Sequence, residues 1–382
     1  MTLIHVALIG LSVSASTSWA ETGHLPYLLS PRGKAKYEIV ALLNSSVSSA
    51  EAARSHFNFP TSVKAYGSPD DLAADPNVDL VVCCTRVDVH LPTVLPSLKV
   101  GKACFVEWPL ASNLNDARML AAEAKLAKSV IGLQCRVSPP VLALQSLLSK
   151  EVIGKVLSSD VRAFTTIRPA AELEEGLAYF ADRKIGGSPM TIALGHMIDF
   201  VHLVLGEFVT SSWRSQIQRP QITITGNDGK VTRTVKSDVP DLVAVHGELA
   251  GREYLRRGAS LSVTMRNGNA FPGDPGFVWT INGEKGEIKI TNPAGPYWQF
   301  DFNEAIKIEV HDHATGEVKE EKWEWEAWAK ELPVQARSVA ELYERYVTKD
   351  LLEKKFPEFS DAVIRHAELQ DMFDSWDRQL AR

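Results

Sequence analysis

Short apolar runs alternate with helical patterns between residues 3 and 136, and nothing else in the chain limits its fold as strongly. LIHVALIG (3–10), YEIVALLN (37–44), VDLVVCCT (78–85), ACFVEWPL (103–110) and SVIGLQCR (129–136) have strand length and stay apolar without alternation. Strands covered on both faces look like this. Helical stretches separate them. One runs from near Ser16–Ser18 toward Leu29, with Pro26 as a kink or an early end. AEAARSHF (50–57) follows, then a short helix opened by Pro69 with Ser68 as its N-cap. LPTVLPSLKVG (91–101) and NLNDARMLAAEAKLAK (113–128), the latter capped by Asn113 or Asn115, complete the set. Repeated strand–helix–strand units of this length close into a doubly wound parallel sheet with right-handed crossovers. The spacing predicts a Rossmann-type α/β domain over residues 1–137.

The pattern changes after residue 137. A helix is predicted over 138–154, ending at Gly154, and a long alternating strand of antiparallel character over 155–167. A second helix covers 186–206. Six extended runs then dominate up to residue 312: SQIQRPQITI, DLVAVHGEL, ASLSVTMRN, GFVWTING, GEIKITN and IKIEVHD. Two more helices are predicted over 331–347 and 359–379. The expected second domain, 138–382, is α+β, with a large, mostly antiparallel sheet and helices on its other face. Its C-terminal helix is expected to pack back on the first domain. In EKWEWEAWAK, Trp323 and Trp325 read as one face of an edge strand, which serves either ordinary packing or a partner patch with Trp328.

Two domains suit a chain of 382 residues. Hydrophobic residues at 45% and charged residues at 23% exclude collagen-like, disordered and disulfide-scaffold classes. The net charge of −6 leaves no basic excess to neutralise phosphates, so nucleic acid is not expected as a direct partner. No apolar run reaches the ~18 residues of a membrane span. The four cysteines (83, 84, 104 and 135) lack C-x-x-C spacing and sit in apolar runs, so buried free thiols and no metal centre are expected. A reducing compartment, the cytoplasm, fits them. Residues 1–20 end like a secretory leader at Ser18-Trp19-Ala20, but lack its positively charged start, and their apolar run is only strand length.

A dinucleotide-binding turn needs glycines after the first strand, so that backbone N–H groups reach a pyrophosphate. Here it reads Gly10-Leu11-Ser12-Val13-Ser14-Ala15. Ser12 stands at the second glycine position, where it crowds the phosphate, and Ala15 at the third, where it is tolerable. A degraded turn is equally compatible with a sheet that binds nothing. The acidic residue that usually meets the adenosine ribose is replaced by Asn44-Ser45-Ser46. Nothing there repels a 2′-phosphate and no neighbouring arginine binds one, so NAD and NADP both remain open. Thr85, Arg86 and His90 follow the third apolar run, at the edge where such sheets hold ligands. Arg86 suits a phosphate, a carboxylate or a surface ion pair.

Taken in order, five segments resemble the Gfo/Idh/MocA oxidoreductase family, which includes glucose–fructose oxidoreductase and inositol dehydrogenases. They are LIHVALIG with its turn; AYGSPDDLAADPNVDLVVCCT with Val89-His90; GKACFVEWPL; IGLQCRVSPPVLALQSLLSKEVIGKV; and GGSPMTIALGHMIDFVHLVLG. FSDAVIRHAEL near the C-terminus adds a sixth. A narrower resemblance, in GLSVSASTSWAETGHLPYL, FVEWPLASNL and SLLSKEVIGKV, points to the branch that holds the galactose-pathway repressor of budding yeasts. The resemblance implies NAD or NADP held by Gly10, Ser12, Ser14, Ala15, Trp19, Asn44, Ser45, Thr85, Arg86, His90, Glu107, Trp108 and Gln134. It implies a substrate site with His196, Asp199 and Tyr179 as catalytic candidates, the last in a loop with Asp182 and Arg183. It also implies a cis bond at Pro109 and self-association as a dimer or tetramer.

The chain departs from the family's chemistry at two positions. Trp108 stands where the family has the lysine of its E-K-P element, and indole N–H is a donor that cannot act as a base near neutral pH. Ile192 stands where the family has an aspartate four residues before His196. Lys102, six residues before Trp108, is no obvious substitute. His196 reads as a general acid/base or as a core histidine bonded to the backbone. Asp199 either orients His196 from one turn away or makes a local cap or salt bridge.

Two functions are expected from this. One is an NAD(P)-binding oxidoreductase acting on a small hydroxyl or carbonyl metabolite with non-standard proton handling. The other is a non-enzymatic, dinucleotide-sensing transcriptional regulator, cytoplasmic and nuclear, that grips an activator protein.

Overall fold

The computed structural model describes residues 3–13, 17–124, 128–165, 170–298, 306–348 and 356–381. The chain divides into two compact units. Residues 1–134, 184–187 and 327–367 form the first; residues 135–183, 188–326 and 368–382 form the second.

The first unit holds six strands: β1 (Ile4–Ile9), β2 (Tyr37–Leu43), β3 (Lys64–Tyr66), β4 (Leu80–Cys83), β5 (Ala103–Glu107) and β6 (Val130–Gly132). All are parallel, in the order β3-β2-β1-β4-β5-β6. The order reverses between β1 and β4, so the loops after these two strands part and leave a crevice at the carboxyl edge. Val6, Ala7, Leu8, Val81, Val82 and Val106 are wholly buried, which explains why the runs carry no polar alternation.

Several boundaries differ from the sequence reading. Residues Ala20–His24 form one wide π-type turn that continues as helix Leu25–Leu28. Pro26 sits in the first turn of that helix, where its missing N–H costs nothing, so it does not end the segment. Ser68 caps helix Pro69–Ala74 by accepting from the Asp71 amide, and Asn113, not Asn115, caps helix Leu114–Glu123. Helix Pro139–Ser149 stops before Gly154 because Glu151 turns to φ +51°. Gly154 then supplies a second left-handed residue, at φ +71°, just ahead of the next strand.

The second unit carries β7 (Val156–Thr165), β8 (Glu172–Glu174), β9 (Glu207–Gln216), β10 (Gln221–Thr225), β11 (Val231–Lys236), β12 (Leu242–Ala250), β13 (Leu255–Asn267), β14 (Phe277–Gly283), β15 (Gly286–Asn292), β16 (Lys307–Asp312) and β17 (Val318–Glu321). Eight of these form one sheet in the order β17-β16-β15-β14-β7-β13-β12-β9. Every neighbouring pair in it is antiparallel except β7 and β13. The rest form a small sheet, β11-β10-β8. Helix Pro189–Leu205 packs on β12 and β13 of the large sheet. Its Phe200 stacks on Trp298 at 4.3 Å and meets Phe277 and Trp279 edge-on or tilted.

The run SQIQRPQITI is not one strand. It breaks around Pro220, which has no N–H for a ladder, and its halves join different sheets. Trp323 and Trp325 lie past the end of β17 and do not share a strand face. Trp325 is buried, while the Trp323 indole N–H donates to the Ile306 carbonyl at 3.0 Å. Among the described residues, no helix is long and apolar enough to cross a membrane.

Candidate functional site

Gly10 ends β1 at φ +93°, a conformation that side chains resist. A Cβ there would stand 2.7 Å from Cγ2 of Thr85, so this glycine also lets the ends of β1 and β4 approach closely before their loops diverge. Ser12 follows it, partly buried. Ser14 and Ala15 lie outside the described residues. The Trp19 indole lies over Gly23, where a Cβ would stand 2.7 Å from Cε2 of the ring. Asn44 uses its amide N–H₂ to brace the turn, donating to the Leu11 carbonyl at 2.8 Å and the Ser49 carbonyl at 3.3 Å. Ser45 is exposed, and Ser46 caps helix Val47–His56. Arg86 is exposed and makes a two-point ion pair with Asp88 at 2.6 and 2.7 Å.

His90 is buried between two backbone carbonyls, with Nε2 2.9 Å from Thr85 and Nδ1 3.3 Å from Leu110. A neutral imidazole has one N–H, so it satisfies one carbonyl at a time. Burial pushes its pKa down, and that keeps the ring neutral. His90 therefore staples the loop after β4 to the segment after β5.

At the end of β5, Glu107 belongs to a buried chain of three residues. Its Oε1 lies 2.9 Å from Nε2 of His24, and Nδ1 of His24 lies 2.8 Å from the Tyr343 hydroxyl. Gly132 on β6 makes room for the carboxylate: a Cβ there would stand 2.4 Å from Oε2. The bond from Trp108 to Pro109 is cis. Trp108 is buried and tilted against His366, with ring centroids 4.8 Å apart. His366 is itself buried, and its Nε2 has no hydrogen-bond partner. Burial and the neighbouring His90 push its pKa down to about 3. Gln134, just past β6, is buried with Oε1 equally unpartnered. Lys102 sits at the opposite edge of the sheet, its ammonium held by the carbonyls of Asp75 and Val78 at 2.7 and 2.8 Å. It is committed there and does not replace the lysine missing at Trp108.

The second unit holds the remaining candidates. His196 is 4% exposed on helix Pro189–Leu205, and its Nδ1 has no partner. Burial pushes its pKa down to about 3, so the ring is neutral at pH 7. Asp199 is one turn further and buried. Its two oxygens accept from the Arg136 guanidinium at 2.6 and 2.8 Å, a salt bridge to a residue 63 positions away rather than a local one. Ile192 lies on the same helix, partly buried. Tyr179 is part of a short 3-10 segment, Glu175–Ala181, with its ring edge-on to Phe180. Arg183 pairs with Asp377 at 2.7 and 3.1 Å.

Sequence reasoning missed His24, Tyr343, Arg136 and His366 as members of these clusters. His24 and Tyr343 stand 319 positions apart, and no local spacing links them.

Residues 4–134 match the oxidoreductase family with an NAD-binding Rossmann fold, and residues 139–292 match the C-terminal domain of Gal80p. The Aspergillus oryzae dehydrogenase aclE is 32% identical over 294 residues, which cover 76% of this chain and 77% of that protein. The chain belongs to the Gfo/Idh/MocA oxidoreductase family. Within this family it is also similar to the galactose/lactose metabolism regulatory protein GAL80 of Saccharomyces cerevisiae. That identity is 25% over 312 residues, or 76% of this chain and 67% of the regulator. A super-repressor mutant of Gal80p from the same yeast shares the fold, with a TM-score of 0.83 at 21% identity over 98% of this chain and 96% of that one. The family thus contains both dehydrogenase and regulator relatives of this chain.

Proposed function

We propose that this protein is a dehydrogenase of a small hydroxyl or carbonyl metabolite, a polyol or sugar, that works without the family's lysine. NAD or NADP is the proposed cofactor, held at the carboxyl edge of the parallel sheet by the turn after Gly10, by Asn44 and Ser45, and by Gln134. The residues suit such a group. The topological switch point lies there, no acidic side chain follows β2, and Gln134 Oε1 is a buried acceptor awaiting a donor. When bound, the dinucleotide supplies or takes up the hydride.

The observation that carries the reading is Nδ1 of His196, buried without a partner. A neutral ring with one free nitrogen is suited to hydrogen-bond a substrate oxygen, and burial strengthens such a bond. With a pKa near 3 it is a weak base, so His196 orients and polarises the oxygen rather than storing a proton. Tyr179, in the same unit, is a further candidate contact. Asp199, held by Arg136, keeps its helix in register.

A second reading, a dinucleotide-sensing regulator, draws support from one substitution: Trp108 cannot move the proton that the family's lysine moves. Titration with NAD, NADH, NADP and NADPH, read by tryptophan fluorescence, tests both. Binding followed by turnover of polyols, sugars or carbonyl compounds supports the dehydrogenase. Binding without turnover supports the regulator, and no binding overturns both.

A further inference from the structure

Five histidines of this chain are buried: His24, His90, His196, His202 and His366. Three of them have both ring nitrogens engaged. His24 lies between Glu107 and Tyr343, His90 between two backbone carbonyls, and His202 between the Gly206 carbonyl and Glu368. An imidazole kept for structure behaves this way, because a buried polar atom without a partner costs free energy. His196 and His366 depart from the pattern. His196 is the proposed substrate contact. His366 has no role so far, and its Nε2 is buried with no partner.

The position of His366 narrows what that partner can be. It lies on helix Phe359–Leu380, in the part that belongs to the first unit. Its ring is tilted at 45° against the Trp108 indole, and Trp108 directly follows β5. His90, in the segment after β4, is close enough to lower its pKa. His366 therefore stands at the carboxyl ends of β4 and β5. A dinucleotide on such a sheet lies across the switch point, with one nucleotide on each side. The turn after β1 and Asn44 after β2 belong to the adenosine side, which leaves the ends of β4, β5 and β6 for the nicotinamide side. Gln134, just past β6, adds its own unpartnered Oε1 there.

We propose that His366 binds the nicotinamide half of the dinucleotide, its Nε2 sharing a hydrogen bond with a neutral hydroxyl or amide group of that half. The inference rests on the cofactor reading above. A neutral imidazole nitrogen donates or accepts according to its tautomer, and ribose hydroxyls and a carboxamide offer both roles. The match therefore needs no particular tautomer. Packing alone does not call for a histidine, because phenylalanine would fill the space beside Trp108 with no polar atom to satisfy. Nε2 is closed to solvent and the indole lies on the ring. Trp108 is thus the cover of this contact, and it moves aside as the ligand enters.

Calorimetry on the full-length chain compares the tighter-binding dinucleotide, NAD or NADP, with ADP, which carries only the adenosine side. His366→Phe should weaken the dinucleotide ~tenfold and leave ADP within about twofold, and His366→Gln, which keeps a donor and an acceptor, should recover most of the loss. With ¹⁵N-labelled histidine in the wild type, the His366 ring-nitrogen resonance should shift at saturating dinucleotide and stay in place with ADP, which reads the contact without any substitution. Wild-type dinucleotide affinity in His366→Phe, or an unmoved ring resonance, overturns this assignment and leaves the cofactor reading standing. Parallel losses of dinucleotide and ADP overturn it too, because the residue would then be holding the fold. Failure of the wild type to bind any dinucleotide overturns the assignment together with that reading.

Discussion

Asp199 gives both of its carboxylate oxygens to one guanidinium, that of Arg136, at 2.6 and 2.8 Å. The aspartate is 1% exposed, so its charge has little water to fall back on. Removing one partner of a buried pair leaves the other uncompensated and typically costs ~3–5 kcal/mol. Arg136→Met should therefore destabilise the protein by about 3 kcal/mol in urea unfolding, because the arginine side chain retains some solvent contact. Replacing both residues by apolar ones should cost less than the two single changes summed. Additive losses would show that the fork is not a coupled pair.

The neutral histidines give the stability a pH dependence with a definite sign. His196 and His366 have pKa values near 3 in the folded protein, against about 6.5 when unfolded. Above pH 6.5 neither state binds the extra proton and the histidines have no effect. As the pH falls below 6.5 the unfolded chain takes up protons that the folded chain refuses, so stability falls. At pH 5 the loss is ~2 kcal/mol for each histidine, relative to pH 7. His366→Phe should flatten the profile by that amount, whatever it does to stability at pH 7. A profile identical to the wild type's would mean that the ring titrates normally.

The Glu107–His24–Tyr343 chain depends on a residue with no side chain. Gly132→Ala would place a methyl group 2.4 Å from Oε2 of Glu107 and 2.6 Å from its Cδ. The carboxylate must then move and release His24. A loss of at least ~2 kcal/mol is expected in denaturant titration, from overpacking and a broken buried hydrogen bond. Tyr343→Phe, which deletes only the far hydroxyl, should cost about 1–3 kcal/mol by leaving Nδ1 of His24 without a partner. Equal stability for Gly132→Ala and the wild type would show that Glu107 has room to retreat.

The parallel sheet was legible because its strands are buried on both faces, which leaves unbroken apolar runs. β3 escaped notice because its Lys64-Ala65-Tyr66 is three residues long at a sheet edge, too brief for any period to register. β11 carries Arg233 and Lys236 on a largely exposed strand, so its sequence looks like loop. The placement of the candidate residues was legible only where they end or follow strands: Gly10, Asn44, Thr85, Glu107 and Gln134 all sit at the carboxyl edge for that topological reason. Their partners were not. Whether Asp199 serves His196 or Arg136 is decided by which side chain the fold places opposite it, and the spacing of three along a helix holds no such information.

Trp108 is one of the two positions, with Ile192, at which the proposed site departs from the family pattern, and Trp108→Lys asks how much that departure matters. The indole is buried against His366, with His90 near enough to lower the pKa of that ring. The adjacent Glu107 carboxylate is already taken by His24. A lysine placed here would be an ammonium among neutral imidazoles with no free counter-ion, so burial would push its pKa down. The smaller side chain would also leave part of the indole's volume empty, and losses of about 3 kcal/mol are ordinary for such cavities. The expected outcome is a lower melting temperature and no gain of inositol or sugar oxidation at pH 7, because the pocket around residue 108 is built for a ring. A tenfold or greater gain in dehydrogenase rate would reverse this view. It would mean that the rest of the family site works behind this substitution, and that Ile192 is no obstacle to turnover.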